Sequence, residues 1–207
     1  MKALLDNLLV EAQWLLSTEQ KQAQLRYVSL LNQWNQIYNL TAVRQPEQML
    51  SRHIMDSLSV IPFLPEGDLL DVGSGAGLPG IPLAIAQPNR HYTLLDSLGK
   101  RTQFLTQVKQ QLKLSNVSVV QDRVENFQTE QLFSGIICRA FSALPTLVSL
   151  CQHLIEPING KILAMKGKLS EEELSSIPKD FTVAEIIPLK VPGLLDKNRH
   201  LVIVTLD

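Results

Sequence analysis

Long apolar runs are missing from this chain of 207 residues, and so is an excess of charge of either sign. No stretch approaches the ~20 consecutive apolar residues of a membrane span. Asp6 and Glu11 interrupt the apolar N-terminus where a signal-peptide core would lie, so the chain is expected to be soluble, unprocessed and cytoplasmic. Nineteen Lys and Arg stand against 20 Asp and Glu, a formal net charge of -1. The pI is about 6.4. No bulk basic field advertises a nucleic acid, and an RNA partner would have to be held by a local patch. Cysteine is nearly absent. Cys138 and Cys151 stand in apolar contexts without CxxC or Cys/His spacing, which excludes a disulfide framework and a zinc site and fits a reducing compartment. Internal repeats and low-complexity segments are absent too.

What is present is enough apolar sequence, 45% of residues, for one α/β core and a small extension. Leu4, Leu5, Leu8, Leu9, Ala12, Leu15 and Leu16 recur at helical spacing and predict a first helix ending near Ser17. Ser17 and Gln20 have the form of a capping box for a second helix, whose stripe runs through Leu25, Val28, Leu31, Trp34 and Ile37 toward Asn39. Pro46 opens a third, carrying Leu50, Ile54 and Leu58. Residues 1–60 are thus expected to form a helical region and 61–207 a Rossmann-like domain, packed as one unit. From Leu69 short apolar runs alternate with helical segments, the grammar of βαβ units and a mostly parallel sheet. Strands are expected at Leu69–Val72, Tyr92–Leu95, Val117–Val120, Gly135–Cys138 and Lys161–Ala164. Helices are expected at Ile81–Ala86, Lys100–Leu112, Val124–Phe127 and Leu144–His153. Phe181–Leu189 and His200–Leu206, joined by a polar segment with Pro192, Gly193 and Asp196, read as an antiparallel hairpin at the sheet edge.

The most informative stretch runs from Leu69 to Gly80, LLDVGSGAGLPG. Gly73, directly after the strand, permits a sharp turn, while Gly75 and Gly77 let a ligand approach the backbone. A GxGxxG also occurs at Gly75, Gly77 and Gly80, but it begins two residues past the strand end and Pro79 interrupts the expected helix start. The register fits a dinucleotide fingerprint poorly. Asp71-x-Gly73-x-Gly75-x-Gly77 instead resembles the first motif of Rossmann-like methyltransferases that use S-adenosylmethionine.

The other strand ends add polar groups to the same rim. Asp96 follows the second strand, 23 residues after Gly73, and its carboxylate suits the two hydroxyls of a ribose; the competing reading is a helix cap. After the third strand come Asp122, Arg123, Val124 and Glu125, where adenine contacts are expected near Val124 and Glu125. Asp122 alternatively caps a short helix. The fourth strand ends Cys138-Arg139-Ala140-Phe141. Cys138 reads as a buried thiol, whereas Arg139, a cation in the crevice, is a candidate to orient the cofactor's carboxylate or the target base. Lys100, Arg101, Arg123, Arg139, Lys166, Lys168 and Arg199 fall at strand ends or adjoining loops and form a candidate basic collar for RNA. Arg52 and Asp56 have the i, i+4 spacing of a helix-bracing pair, and His53 reads as structural.

Trp34-Asn35-x-x-Tyr38-Asn39-Leu40-Thr41, Arg52-His53-x-x-Asp56-Ser57, the glycine loop with Leu78-Pro79-Gly80-Ile81-Pro82, Leu95-Asp96-Ser97-x-x-Lys100-Arg101, and Arg139-Ala140 occur in one order. Together they resemble the RsmG/GidB family, bacterial small-subunit rRNA guanine-N7 methyltransferases also called glucose-inhibited division protein B. The resemblance spans nearly the whole chain. It implies a class I methyltransferase fold, S-adenosylmethionine as donor and guanine 527 of 16S rRNA as acceptor. It also implies a cofactor site including Gly73, Leu78, Val124, Glu125 and Arg139, in a protein expected to act as a monomer. Arg139 is the candidate catalytic residue. Guanine N7 carries a lone pair and no proton, so the reaction asks for alignment rather than a general base, which fits the lack of an evident catalytic dyad. A methyltransferase of another substrate, a nonenzymatic cofactor-binding regulator and a nicotinamide oxidoreductase stay open on the residues alone.

Overall fold

The computed structural model describes residues 1–194 and 198–207; Asp196, in the expected polar connection, lies outside the described residues. Helix α1 (Lys2–Glu11) ends earlier than its apolar spacing predicts. Gln13 takes a left-handed φ of 58° and breaks the helix, leaving Leu15 98% exposed. The capping box at Ser17 forms as read: Gln20 N donates to Ser17 Oγ at 3.2 Å, and Ser17 N to Gln20 Oε1 at 2.8 Å. Helix α2 (Thr18–Tyr38) then runs to a left-handed Asn39. Its buried residues, among them Gln24, Tyr27, Val28 and Leu31, face the helices Gly80–Ala86 and Gly99–Leu112, while Ile37 points to solvent. The third predicted helix is split into α3 (Pro46–Met49), a π-helical segment (Leu50–Met55) and α4 (Asp56–Leu58).

Seven strands form one sheet in the order β3-β2-β1-β4-β5-β7-β6. These are β1 (Leu69–Val72), β2 (Tyr92–Asp96), β3 (Val117–Gln121), β4 (Gly135–Arg139), β5 (Lys161–Lys166), β6 (Phe181–Pro188) and β7 (His200–Leu206). The first five are parallel, and β7 enters antiparallel between β5 and β6. Helices α5 (Gly80–Ala86), α6 (Gly99–Leu112), α7 (Leu144–Cys151) and α8 (Glu171–Ser175) complete the elements. The expected helix at Val124–Phe127 is only a turn, closed by Asn126 N and Phe127 N on the Arg123 carbonyl. Helix α8 was not foreseen; its start is fixed by Ser170 Oγ, which accepts from Glu173 N at 3.1 Å.

Two apolar layers sandwich the sheet. One gathers Leu5, Leu8, Tyr27, Leu31 and Ile54 of the N-terminal helices with Ile81, Leu94 and Phe104, so both regions share one core. The other packs α7 against β4, β5 and β7 through Leu144, Leu147, Val148, Ile136, Ile162 and Val202. Among the described residues, no helix is long and apolar enough to cross a membrane.

Candidate functional site

From β1 the chain moves outward to β2 and β3, and β4 then returns on the other side of β1. Such a reversal opens a crevice at the carboxyl ends of the strands. The glycine loop stands there, with left-handed φ values of 68° at Gly73, 58° at Gly75 and 85° at Gly77. Gly73 N anchors the turn by donating to the Leu95 carbonyl at 2.9 Å. A Cβ on Gly75 would meet nothing nearer than the Gly73 carbonyl at 3.7 Å, so that side is open; one on Gly77 would lie 2.6 Å from Ile81 and 2.8 Å from Leu105. Gly77 therefore serves packing, and of the two glycines expected to admit a ligand only Gly75 leaves its Cβ direction open. Asp71 is likewise not brought to the crevice. It is fully buried under the loop, where Oδ2 accepts from Gly80 N at 2.9 Å and burial pushes its carboxyl up to about 7. From the other side the Tyr27 hydroxyl donates to the Ala76 carbonyl at 2.6 Å, tying α2 to the loop.

Two cavities meet at Gly73, Arg101 and Ala140. The second, about 470 Å³, is lined by Asp96, Asp122, Arg123, Val124, Glu125 and Phe141 among others. The Phe141 ring lies against Gly73, where a Cβ would be 2.4 Å from Cδ2. Asp96 is 2% exposed and accepts from Gly75 N at 2.9 Å, Leu98 N at 2.9 Å and Arg101 Nη1 at 3.2 Å. It thus joins the glycine loop to the start of α6 while facing the cavity. Ala140 holds a left-handed φ of 55°, a strained setting for a residue with a Cβ, at the junction of both cavities.

The first cavity, about 410 Å³, is lined by Gly75, Leu78, Thr41, His53, Asp56 and Arg139 among others. Arg52, Arg101, Lys166 and Arg199 also reach it, so cations outnumber its one described carboxylate, Asp56. Asp56 does not brace Arg52 as its spacing suggests. Its carboxylate turns across the cavity floor to Arg139 Nη1 at 3.0 Å and Arg199 Nε at 3.3 Å, tertiary partners in place of the helix neighbour. His53 Nδ1 donates to the Arg52 carbonyl at 2.9 Å, which leaves Nε2 to accept from the Thr41 hydroxyl at 2.9 Å. Burial, with Arg139 nearby, lowers its pKa to about 4. Thr41 is held in place by Asn35, whose Oδ1 accepts from Thr41 N at 2.9 Å and whose Nδ2 donates to the Val43 carbonyl at 3.2 Å.

A family model described as rRNA small subunit methyltransferase G matches residues 20–202. The chain belongs to that family. A ribosomal RNA small subunit methyltransferase G from Photorhabdus laumondii is 54% identical over 200 residues, 97% of each chain. One from Pectobacterium carotovorum is 51% identical over 204 residues, 99% of this chain and 98% of the other. Among solved structures, the N-methyltransferase NodS from Bradyrhizobium japonicum with S-adenosyl-L-homocysteine superposes with a TM-score of 0.58 at 14% identity, covering 85% of this chain and 98% of that one. The glycopeptide N-methyltransferase MtfA with S-adenosyl-L-methionine gives 0.61 at 13% identity, covering 75% and 87%. The fold is that of class I methyltransferases. As a family member the chain is an enzyme, an rRNA methyltransferase with S-adenosylmethionine as donor.

Within this methyltransferase the residues expected from sequence divide by position. Gly73, Gly75, Leu78, Asp96, Val124, Glu125 and Arg139 line one cavity or the other, and Asp71 and Gly77 line neither. Of the expected basic collar, Arg101, Arg139, Lys166 and Arg199 line the first cavity and Arg101 and Arg123 the second; Lys100 and Lys168 stand outside both. Lys166 is engaged by the Ser142 carbonyl at 2.7 Å and Glu173 at 2.5 Å, and Arg123 by Glu125 at 3.5 Å. Lys100 Nζ lies 5.9 Å from the Tyr38 ring centroid. Cys138 is buried with its thiol pushed up to about 12, which bars it as a nucleophile. Sequence reasoning missed Thr41 and Tyr27 as site supports. The Trp34–Thr41 motif signalled the first; nothing in the sequence marks Tyr27 or the left-handed Ala140.

Proposed function

We propose that this chain transfers the methyl group of S-adenosylmethionine to N7 of guanine 527 in 16S rRNA, acting as a monomer in the cytoplasm. The observation that carries the reading is the pair of cavities meeting over Gly73 at the switch point of a methyltransferase sheet. The residues present fit the donor. Left-handed Gly75, with its open Cβ direction, gives a backbone cradle beside the turn at Gly73, the Arg139 guanidinium lines the first cavity and the buried Asp96 carboxylate lines the second.

When bound, the donor supplies an electrophilic methyl on a sulfonium. Asp96 spends three acceptor positions on protein donors and, of the roughly four on a carboxylate, keeps one for a ribose hydroxyl. Val124 and Glu125 would frame the adenine. Gly73, Gly75 and Leu78 would carry the methionine portion, with Arg139 orienting its carboxylate or the incoming base. In the first cavity His53 cannot serve as a general base, because both ring nitrogens are engaged and its pKa is low. Asp56 is committed to two guanidinium groups. Neither His53 nor Asp56 is then free to take a proton, which suits an acceptor that has none to lose, as guanine N7 does. The chain's contribution is then alignment of lone pair and methyl group, with water excluded from the buried floor.

The test is transfer of labelled methyl from S-adenosylmethionine to small-subunit rRNA isolated from cells lacking this activity, with the base mapped. Label in 7-methylguanine at position 527 is expected. Label in another base, or none despite tight donor binding, would move the acceptor elsewhere.

A further inference from the structure

The π-helical winding of Leu50–Met55 releases one backbone carbonyl, and that carbonyl faces Arg139. The Asp56 N–H donates to the carbonyls of Ser51 and His53 and so passes over Arg52, the acceptor that an α-helix would use. A carbonyl freed in this way needs other donors, and π-helical turns recur at functional sites for that reason. Arg52 O receives Arg139 Nη1 at 3.0 Å and His53 Nδ1 at 2.9 Å. One turn later Asp56 Oδ2 accepts from the same Arg139 Nη1 at 3.0 Å, while Oδ1 stands 3.3 Å from Arg199 Nε. The Asp56 side chain is 4% exposed, so it lies behind the two guanidinium groups rather than in front of them.

We propose that Asp56 and the released Arg52 carbonyl are a positioning device for Arg139, through which the N-terminal helical region sets the geometry of the donor site. Both acceptors engage Nη1, which leaves the rest of the guanidinium fork for a ligand. The carboxylate also keeps Arg139 and Arg199, two cations of one cavity wall, from repelling each other. Without Asp56 the Arg139 side chain loses its fixed orientation, and the donor must order it on binding. The proposal rests on the reading that Arg139 works at the donor site.

The decisive experiment is a double-mutant cycle of Asp56→Asn and Arg139→Ala, read as calorimetric affinity for S-adenosylhomocysteine and as KM and kcat for methyl transfer. Asp56→Asn alone is expected to weaken S-adenosylhomocysteine binding and raise the donor KM by ~10-fold, yet to add less than ~2-fold in the Arg139→Ala background. The KM for rRNA should stay within ~2-fold of wild type, a split that general destabilisation would not produce. Equal losses in both backgrounds, or no loss on Asp56→Asn while Arg139→Ala is impaired, would overturn the role of Asp56 and leave that of Arg139 standing. Wild-type binding and turnover by Arg139→Ala would overturn both. Coupling of Asp56 to Arg199→Ala but not to Arg139→Ala would also overturn the proposal. Should Asp56→Asn not fold, Asp56→Ser runs the same cycle.

Discussion

Two glycines of one loop, Gly75 and Gly77, answer the same substitution differently. Each has a positive φ, so alanine costs ~1 kcal/mol or more in backbone strain at either. At Gly75 the new methyl group enters open space over the first cavity, and at Gly77 it meets Ile81 and Leu105. Gly75→Ala is therefore expected to keep most of its stability but weaken S-adenosylhomocysteine binding at least ~10-fold, because the methyl group stands where a ligand must approach. Gly77→Ala should lose a further ~1–3 kcal/mol in denaturant unfolding through overpacking. Asp71 gives a pH signature. Its folded pKa of about 7 lies above the ordinary 3.8, so the folded state holds the extra proton between those values and stability falls as the pH rises through that window. His53 slopes the other way, its value of about 4 making stability fall as the pH drops below 6.5. Comparing wild type with Asp71→Asn cancels the His53 contribution. The difference should move toward the Asn variant by up to about 4 kcal/mol between pH 4 and pH 8, at ~1.4 kcal/mol per unit. A flat difference across that range in unfolding titrations would show Asp71 ionised throughout.

At the scale of elements, α2 acts as the brace of the site. It touches α5 through Gln24 Nε2 on the Pro82 carbonyl at 2.9 Å and the glycine loop through Tyr27 on Ala76. Tyr27→Phe strands the Ala76 carbonyl and is expected to cost ~1–2 kcal/mol of stability. A several-fold loss of S-adenosylhomocysteine affinity should follow, because the loop then lacks its tether; unchanged affinity in calorimetry would confine Tyr27 to stability. Elements were legible wherever local chemistry decided them. The capping box wrote the start of α2 into Ser17 and Gln20, and the strand starts at Leu69, Tyr92, Val117, Gly135 and Lys161 follow their apolar runs. The end of α1 was not legible, because Leu15 and Leu16 continue the stripe while Gln13 turns left-handed. The π-helical turn was equally hidden, since an extra backbone residue per turn leaves no mark in residue type.

At the scale of the molecule, a neutral chain has to hold an anionic polymer. Arg101, Arg139 and Arg199 line one cavity, with Lys100 and Lys168 exposed outside it. The affinity for rRNA should therefore fall with salt by a shallow slope, roughly -0.7 per phosphate contacted. Lys100→Ala should make that slope shallower by about one contact and leave S-adenosylhomocysteine binding unchanged. Filter binding across a salt series reads both, and an unchanged slope would remove Lys100 from the RNA path. The N-terminal helices are part of the same core as the sheet, Tyr27 and Leu31 lying fully buried in the layer that contains Leu94 and Phe104.

The sequence by itself determined the order of the seven strands, the glycine turn and the family, because each depends on residue type over a few positions. Only the tertiary structure decided which of those residues meet. It sent Asp71 and Gly77 inward, since β1 is buried on both faces and the loop must pack on α5 and α6. It also turned Asp56 from its helix neighbour to two arginines, 83 positions away at Arg139 and farther still at Arg199. Charge pairing across a crevice depends on how the sheet order folds distant strand ends together, and no local spacing encodes that.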